Sequence, residues 1–326
     1  MRGLIRKIKK SRLLGMSGSS FPVWLKWKKV KGSKAKIKYV VCNGAEGELK
    51  TQKDYYILKH YPKDVIFGIK LALETVGAKT GFLYLNKKYY RKLKPKLIKL
   101  THHLPIELFE KPEGYLNGEE TVICNIIETK AKEPRVKPPL PAEAGVFGKP
   151  TLINNLETFY WVSKIAKNQY NYERFYSIAG KVKQKGVYKL PFDFTIRDIL
   201  TITGNRPWFD FFVQVGGGAS GEILLPNELD RPITSLGSII VYDKKTTNPM
   251  VLMRKWAKFF FKENCDLCAT CREGTFRILE ILQKEELLSQ DKQTLADIFN
   301  LLEKASLCPY GRILPRPFKT AIAKLL

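Results

Sequence analysis

The chain has 326 residues, 44% of them hydrophobic and 12% aromatic, enough to bury a core without disulfide staples and to build two or three domains. It carries 57 Lys and Arg against 31 Asp and Glu, a formal charge of +26, and six cysteines. No apolar run approaches the roughly 20 residues that cross a bilayer, and the cysteines cluster too tightly for a secreted disulfide framework, so a soluble protein of a reducing compartment is expected.

The first stretch, MRGLIRKIKK, is basic and amphipathic. It is not followed by the apolar core or the small-residue cleavage site of an export signal, which points to the cytoplasm. Residues 1–40 hold thirteen Lys or Arg and no acid, and KKYYRKLKPKLIK (87–99) adds seven more. Such charge spread over many segments reads as solvated faces that steer anionic ligands or acidic partners. No Cys-His finger spacing or aromatic RNA-binding signature accompanies it, so nucleic-acid binding is not expected.

Residues 37–42, IKYVVC, form an apolar run that ends at the loop NGAEGE, the pattern of a buried strand opening into polar groups. DVIFGIKLALETVGA (64–78) has helical spacing and closes at Gly77, and FLYLN follows as a second strand. This β-α-β order predicts a parallel sheet whose loops, at the carboxyl ends of the strands, hold a nucleotide. Residues 131–150 contain five prolines and are expected to be an extended loop across that site, neither helix nor central strand. From 175 to 243, short β-like pieces surround one helix-like piece, TIRDILTITG, giving a compact α+β module. PMVLMRKWAKFFFKEN (249–264) is amphipathic, and helical patterns at 272–286 and 291–305 complete a small bundle.

Cys265, Cys268 and Cys271 recur every three residues in ENCDLCATCREGTFR, a pitch that curls three sulfurs around one small object. Cubane iron–sulfur clusters use such spacing, and zinc is the competing metal. The fourth candidate ligand is Cys308 in SLCPYG, which a helical hairpin would return to the loop. CREG places a helix N-terminus beside the metal, favouring its more negative, reduced state. Cys42 and Cys124 read as buried small hydrophobes, and His60, His102 and His103 show no ligand spacing to the cysteines.

CDLCATCREGT with SLCPYG resembles the cluster motif of the NADH-binding flavoprotein subunit of complex I and of the diaphorase subunits of NAD-reducing hydrogenases and formate dehydrogenases. GMSGSSFPVWLKW (15–27), CNGAEGE (42–48), NGEET (117–121) and RVKPPLPAEAGVFGKPTLINNLET (135–158) resemble further blocks of that family in the same order. The resemblance implies a Rossmann-like FMN-binding domain (1–170), a ubiquitin-like β-grasp domain of the soluble-ligand-binding kind (171–246) and a C-terminal helical bundle (247–326) holding a [4Fe-4S] cluster. It implies that Gly15, Gly18, Lys26, Asn43, Glu46, Gly118, Glu119, Asn154 and Asn155 hold FMN. Phe21, Glu48 and Glu120 would face NAD(H) or NADP(H), the two glutamates at the catalytic position. The implied activity moves hydride between NAD(P)H and FMN and single electrons to the cluster. Its implied setting is a cytoplasmic complex, peripheral to a membrane in some relatives, with a thioredoxin-like [2Fe-2S] subunit and further redox subunits as partners.

The sequence departs from the family at several points. Ser17 and Ser20 replace glycines of the first loop, Met16 replaces its arginine, and Ala45 stands where the family has Asp. Lys29 and Leu140 occupy two positions where aromatic rings would stack on adenine, leaving Phe21. These departures favour, as a second reading, an electron-relay or scaffold subunit with a degenerate nicotinamide site. NGAE and GMSGSSFP also lean toward the C subunit of the ion-pumping ferredoxin:NAD oxidoreductase, but that subunit carries two tandem clusters and this chain one set of four cysteines.

Overall fold

The computed structural model describes residues 2–326; Met1, the first residue of the expected flavin domain, lies outside them. The backbone divides into two compact units, one of residues up to 47 with 52–175, the other of residues 48–51 with 176–326.

The first unit runs through α1 (Arg2–Lys10), α2 (Val23–Gly32), β1 (Tyr39–Gly44), α3 (Lys53–His60), α4 (Pro62–Val76), β2 (Thr80–Asn86), α5 (Lys87–Thr101), β3 (Ile106–Lys111), α6 (Glu120–Ile127), α7 (Pro141–Ala144), β4 (Thr151–Asn155) and α8 (Leu156–Ala166). Its four strands are parallel, in the order β3-β2-β1-β4. Val40, Val41 and Cys42 of β1 are wholly buried, as a strand covered on both faces requires. The β-α-β reading holds: α4 begins with Pro62 in its first turn and stops at Gly77, whose left-handed φ of 74° lets its N–H reach Leu73 O. The basic run of residues 87–99 is α5, which buries Tyr89, Leu93 and Leu97 and turns most of its lysines to solvent.

Helices α4 and α8 meet at Gly68, where an added Cβ would stand 2.0 Å from the carbonyl oxygen of Phe159. Backbone cannot yield as a side-chain tip can. Gly68→Ala is therefore expected to destabilise this unit by about 3 kcal/mol, the upper range of overpacking, read as a lowered unfolding midpoint in urea.

The proline-rich stretch needs one correction. It is largely irregular, but Pro141–Ala144 forms a single helical turn, with Pro141 in its first turn and the Glu143 carboxylate accepting Leu140 N–H at 2.9 Å. Proline is tolerated there because the N–H it lacks has no partner in a first turn.

The second unit contains β5 (Glu173–Gly180), which starts at the end of the first, then β6 (Gly186–Pro191), α9 (Ile196–Ile202), β7 (Phe211–Val215), β8 (Glu222–Leu224) and β9 (Ser238–Asp243). The sheet order is β6-β5-β9-β7-β8, with β5 parallel and β7 antiparallel to β9. Ile196, Ile199 and Leu200 of α9 pack onto Tyr176, Ile178, Val213 and Val241 of the sheet. Helices α10 (Pro249–Glu263), α11 (Ala269–Leu282), α12 (Ser289–Ala305), α13 (Pro309–Ile313) and α14 (Pro315–Leu325) follow. They close on an aromatic core of Trp256, Phe260, Phe299 and Phe318. The bundle and the sheet share this unit: Thr320 Oγ1 of α14 accepts the N–H of Ile223 in β8 at 2.9 Å. The helices α13 and α14 escape sequence reading because Pro309, Pro315 and Pro317 interrupt the pattern, although a first turn accepts proline.

Candidate functional site

In the first unit the implied flavin residues gather at the carboxyl edge of the parallel sheet. Strand pairing sets Cys42 beside Asn154 and Asn43 beside Asn155. Asn43 turns back on its own loop, accepting Ala45 N–H at 3.1 Å, and donates to Gly118 O at 3.0 Å. Trp27 Nε1 donates to Asn154 Oδ1 at 3.0 Å. Asn155 caps α8, accepting the N–H and hydroxyl of Thr158, and Thr158 Oγ1 in turn accepts Met16 N–H at 3.2 Å. Lys26 reaches from α2 to Glu120 Oε1 at 2.5 Å and to the Ile153 carbonyl at 3.0 Å. Glu119 caps α6 through Thr121 N–H and Val122 N–H and pairs with Lys137 at 2.5 Å. The first loop turns tightly at Gly18 (φ 105°) and Ser20 (φ 47°), Gly15 N–H donates to Phe21 O, and Phe21 is exposed.

The carboxylates of the two remaining glutamates have other partners. Glu46 accepts the N–H groups of Lys53 and Asp54 at the start of α3 and the hydroxyl of Tyr89 at 2.8 Å. Burial and the nearby Asp54 carboxylate push its pKa up to about 7, against the pull of Lys53 and the Tyr89 bond. Glu48 belongs to the second unit, where its carboxylate accepts Ala219 N–H at 3.0 Å and the hydroxyl of Ser220. Gly217, at φ 131°, passes so close that a Cβ would lie 2.5 Å from that carboxylate. The loop GGGASG thus forms a backbone cradle for an anion, which Glu48 fills.

Three of the four candidate ligand cysteines sit at two helix starts, and Cys265 lies in the loop between α10 and α11. Cys268 is the N-cap of α11, whose first turn carries Cys271, and Cys308 is the N-cap of α13. The backbone N–H groups of Cys271 and Arg272 both point to Cys268 O. Cys271 and Cys308 are buried, Cys265 and Cys268 half-buried. Burial pushes the Cys271 thiol well up, helped by Cys268, Cys308 and Cys265 around it. Four thiols in mutual range cannot all ionise without a cation among them. Among the described residues no group of three or more His, Cys, Asp or Glu is arranged around a single ion, and a cubane, being larger, spreads its ligands wider. An all-sulfur donor set with a buried, unpartnered Ser306 hydroxyl beside it suits such a cluster.

The carboxyl edge likewise offers what a flavin nucleotide needs: an ammonium, amides and close-lying glycines. Trp27, Thr158, Tyr84 (which donates to Asn117 O at 2.9 Å) and Lys137 complete this edge and carry no local sequence signal of their own. Cys42 and Cys124 are wholly buried, as expected of small hydrophobes.

Two-electron flavin chemistry and one-electron cluster chemistry require different donors, and this chain carries a candidate set for each. It is an oxidoreductase subunit of the class that carries FMN and a [4Fe-4S] cluster. Residues 8–164 match the family described as the Nuo51 FMN-binding domain, and residues 251–325 the NADH-ubiquinone oxidoreductase-F iron-sulfur binding region. The F subunit of NADH-quinone oxidoreductase in Buchnera aphidicola subsp. Schizaphis graminum is 31% identical, across 98% of this chain and 81% of its own length. The NAD-reducing hydrogenase HoxS subunit alpha of Cupriavidus necator is 28% identical, across 98% of this chain and 59% of its own. A crystal structure of NAD+-reducing [NiFe]-hydrogenase in the H2-reduced state superposes with a TM-score of 0.92 at 29% identity, covering 99% of this chain and 61% of the hydrogenase chain. The chain belongs to the family of the F subunits of NADH-quinone oxidoreductases. No described helix is long and apolar enough to cross a membrane.

Proposed function

We propose that this chain is the electron-entry subunit of a cytoplasmic multi-subunit oxidoreductase, organised as a flavin domain (1–170), a β-grasp domain (171–246) and a cluster-binding bundle (247–326). Bound FMN supplies hydride acceptance from NAD(P)H, and the [4Fe-4S] cluster supplies one-electron transfer. The chain's own residues orient these groups. Lys26 sets a cation at the carboxyl edge of β4 and holds Glu120 in place. Asn43 locks the β1 loop to Gly118, and Asn154 and Asn155 fix the end of β4. Gly15 and Gly18 shape the first loop, Glu119 and Lys137 anchor the start of α6, and Phe21 offers an exposed ring for a nucleotide. Cys265, Cys268, Cys271 and Cys308 hold the cluster. The thioredoxin-like [2Fe-2S] subunit is the proposed electron acceptor.

The observation that carries this reading is the gathering of Lys26, Asn43, Gly118, Glu120, Asn154 and Asn155 along one sheet edge, in a chain that also places Cys268, Cys271 and Cys308 at two helix starts with Cys265 in the loop just before the first of them. Protein purified without oxygen is expected to show flavin and broad iron–sulfur absorption, with one FMN and four each of iron and sulfide per chain. Rapid mixing with NADH or NADPH should bleach the flavin. Lys26→Ala is expected to weaken FMN about ten- to hundredfold, the range of one charge-assisted hydrogen bond, read as flavin release on dilution.

A relay role with a degenerate nucleotide site is the second reading, favoured by Lys29, which pairs with Glu143 at 2.8 Å where the family pattern has a ring. Flavin that neither nucleotide bleaches would decide for it.

A further inference from the structure

Ser306 is 2% exposed, and its hydroxyl has no hydrogen-bond partner among the described residues. The rest of the residue is fully engaged: its N–H donates to Leu302 O at the end of α12, and its carbonyl accepts Arg312 Nε at 2.9 Å. Both bonds fix the backbone and leave only the hydroxyl without a role. A buried hydroxyl left unbonded forfeits its hydration with nothing in return, so native proteins rarely keep one without a use.

Its surroundings indicate the missing acceptor. A Cβ on Gly311 would stand 2.3 Å from Ser306 Oγ and 3.5 Å from Cys271 Sγ. The absent side chain at 311 therefore makes room for the hydroxyl and the thiol on one side of the same backbone. Tyr310, the other hydroxyl of the motif, donates to Phe260 O at 2.6 Å and is held away from that role. Ser306 is two residues before Cys308, and Thr270 beside Cys271 bonds the Ala305 carbonyl at 3.4 Å. The backbone that carries the hydroxyl is thus tied to both cysteine-bearing segments.

We propose that Ser306 donates its hydroxyl hydrogen to a sulfide of the cluster held beside Cys271, and so sets the cluster's reduction potential. The proposal rests on the cluster reading above. A hydrogen bond to sulfur stabilises the reduced state, which carries more negative charge, and raises the potential. Ser306 acts through sulfur and is a positioning residue, not a catalytic one. Gly311 is the companion requirement, because any larger residue there would displace the hydroxyl.

The test is a redox titration of the anaerobic full-length protein followed by electron paramagnetic resonance, on wild type, Ser306→Ala and Ser306→Thr. Ser306→Ala should shift the oxidised-to-reduced ratio about tenfold toward oxidised at a fixed potential, about 59 mV for one electron. Ser306→Thr, which keeps a hydroxyl, should stay near wild type. Iron–sulfur stretching bands of the wild type should also move on exchange into D2O, a readout that stands even if Ser306→Ala fails to assemble. An unshifted potential in an iron-replete Ser306→Ala protein, or bands insensitive to deuterium, would overturn the assignment and leave a bound water as the hydroxyl's partner. Wild type without iron would overturn the cluster reading beneath it as well, and the iron and sulfide count separates the two failures.

Discussion

Replacing Cys308 by Ser is expected to strip the iron–sulfur absorption while leaving FMN in place. Cys308 is the only ligand candidate on the α13 side; the other three cysteines lie within the seven residues 265–271. Hydroxyl oxygen is a poor ligand for iron that is otherwise held by thiolates. Iron should fall from four per chain to less than one, with sulfide falling alongside. The flavin candidates lie in a unit with its own sheet and core, so FMN should remain stoichiometric and reducible by nucleotide, while onward electron delivery drops by at least an order of magnitude, the range for a lost ligand or its immediate support. Loss of FMN together with iron would show instead that the two units do not hold their cofactors independently. Retention of all four irons would remove Cys308 from the ligand set.

The second large effect concerns a buried charge cluster of the first unit. Lys53 is 1% exposed and stands 2.8 Å from Asp54 Oδ1 and 3.0 Å from Glu157 Oε2. The Glu157 contact is off hydrogen-bond geometry and is held by charge alone. The other oxygen of Glu157 accepts Trp161 Nε1 at 3.1 Å and Phe175 N–H at 2.8 Å. Burial alone would lower the Lys53 pKa, but the carboxylates of Asp54, Glu157 and Glu46 outweigh it and raise it. Lys53→Met removes the cation from two buried carboxylates and is expected to cost about 3–5 kcal/mol, measured in urea on the first unit. Lys53→Met with Glu157→Gln should regain part of the loss, because one uncompensated charge then disappears.

The same cluster sets a pH dependence. Glu46 keeps its proton to about pH 7 in the folded chain, raised by burial and by Asp54 from an ordinary value of 4.5. Between those values the native state holds a proton that the unfolded state has released. Stability therefore falls as pH rises from about 4.5 to 7. The unfolding midpoint of wild type should decline across that window, and Glu46→Gln should flatten the decline; an equal slope in both proteins would assign the effect to another group.

Much of the second unit's chemistry was legible because its code is local. Three cysteines three residues apart define a curl of chain, and the helical patterns of α11 and α12 span the 36 residues (272–307) that separate Cys271 from Cys308. The NGEET stretch was less legible. Read alone it is either a site loop or a helix cap, and the structure shows that Glu119 does cap α6 while pairing with Lys137. Asn155 likewise caps α8 at the sheet edge. Capping chemistry and site chemistry use the same residue types, so a short motif cannot separate them.

The amino-acid order by itself settled the parallel β-α-β start, the candidate set of four thiols, the burial of Cys42 and Cys124 and the placing of basic charge on solvated faces. Each of these follows from a period or a spacing within a few dozen residues. Tertiary structure alone decided that Lys26 meets Glu120 across 94 positions, that Glu48 rests in the Gly217–Ser220 cradle 172 positions from the Ser220 hydroxyl, and that Lys53 is buried with Glu157. Those pairings depend on which loops the strand order brings to one edge, and strand order is fixed by long-range packing that no local pattern encodes.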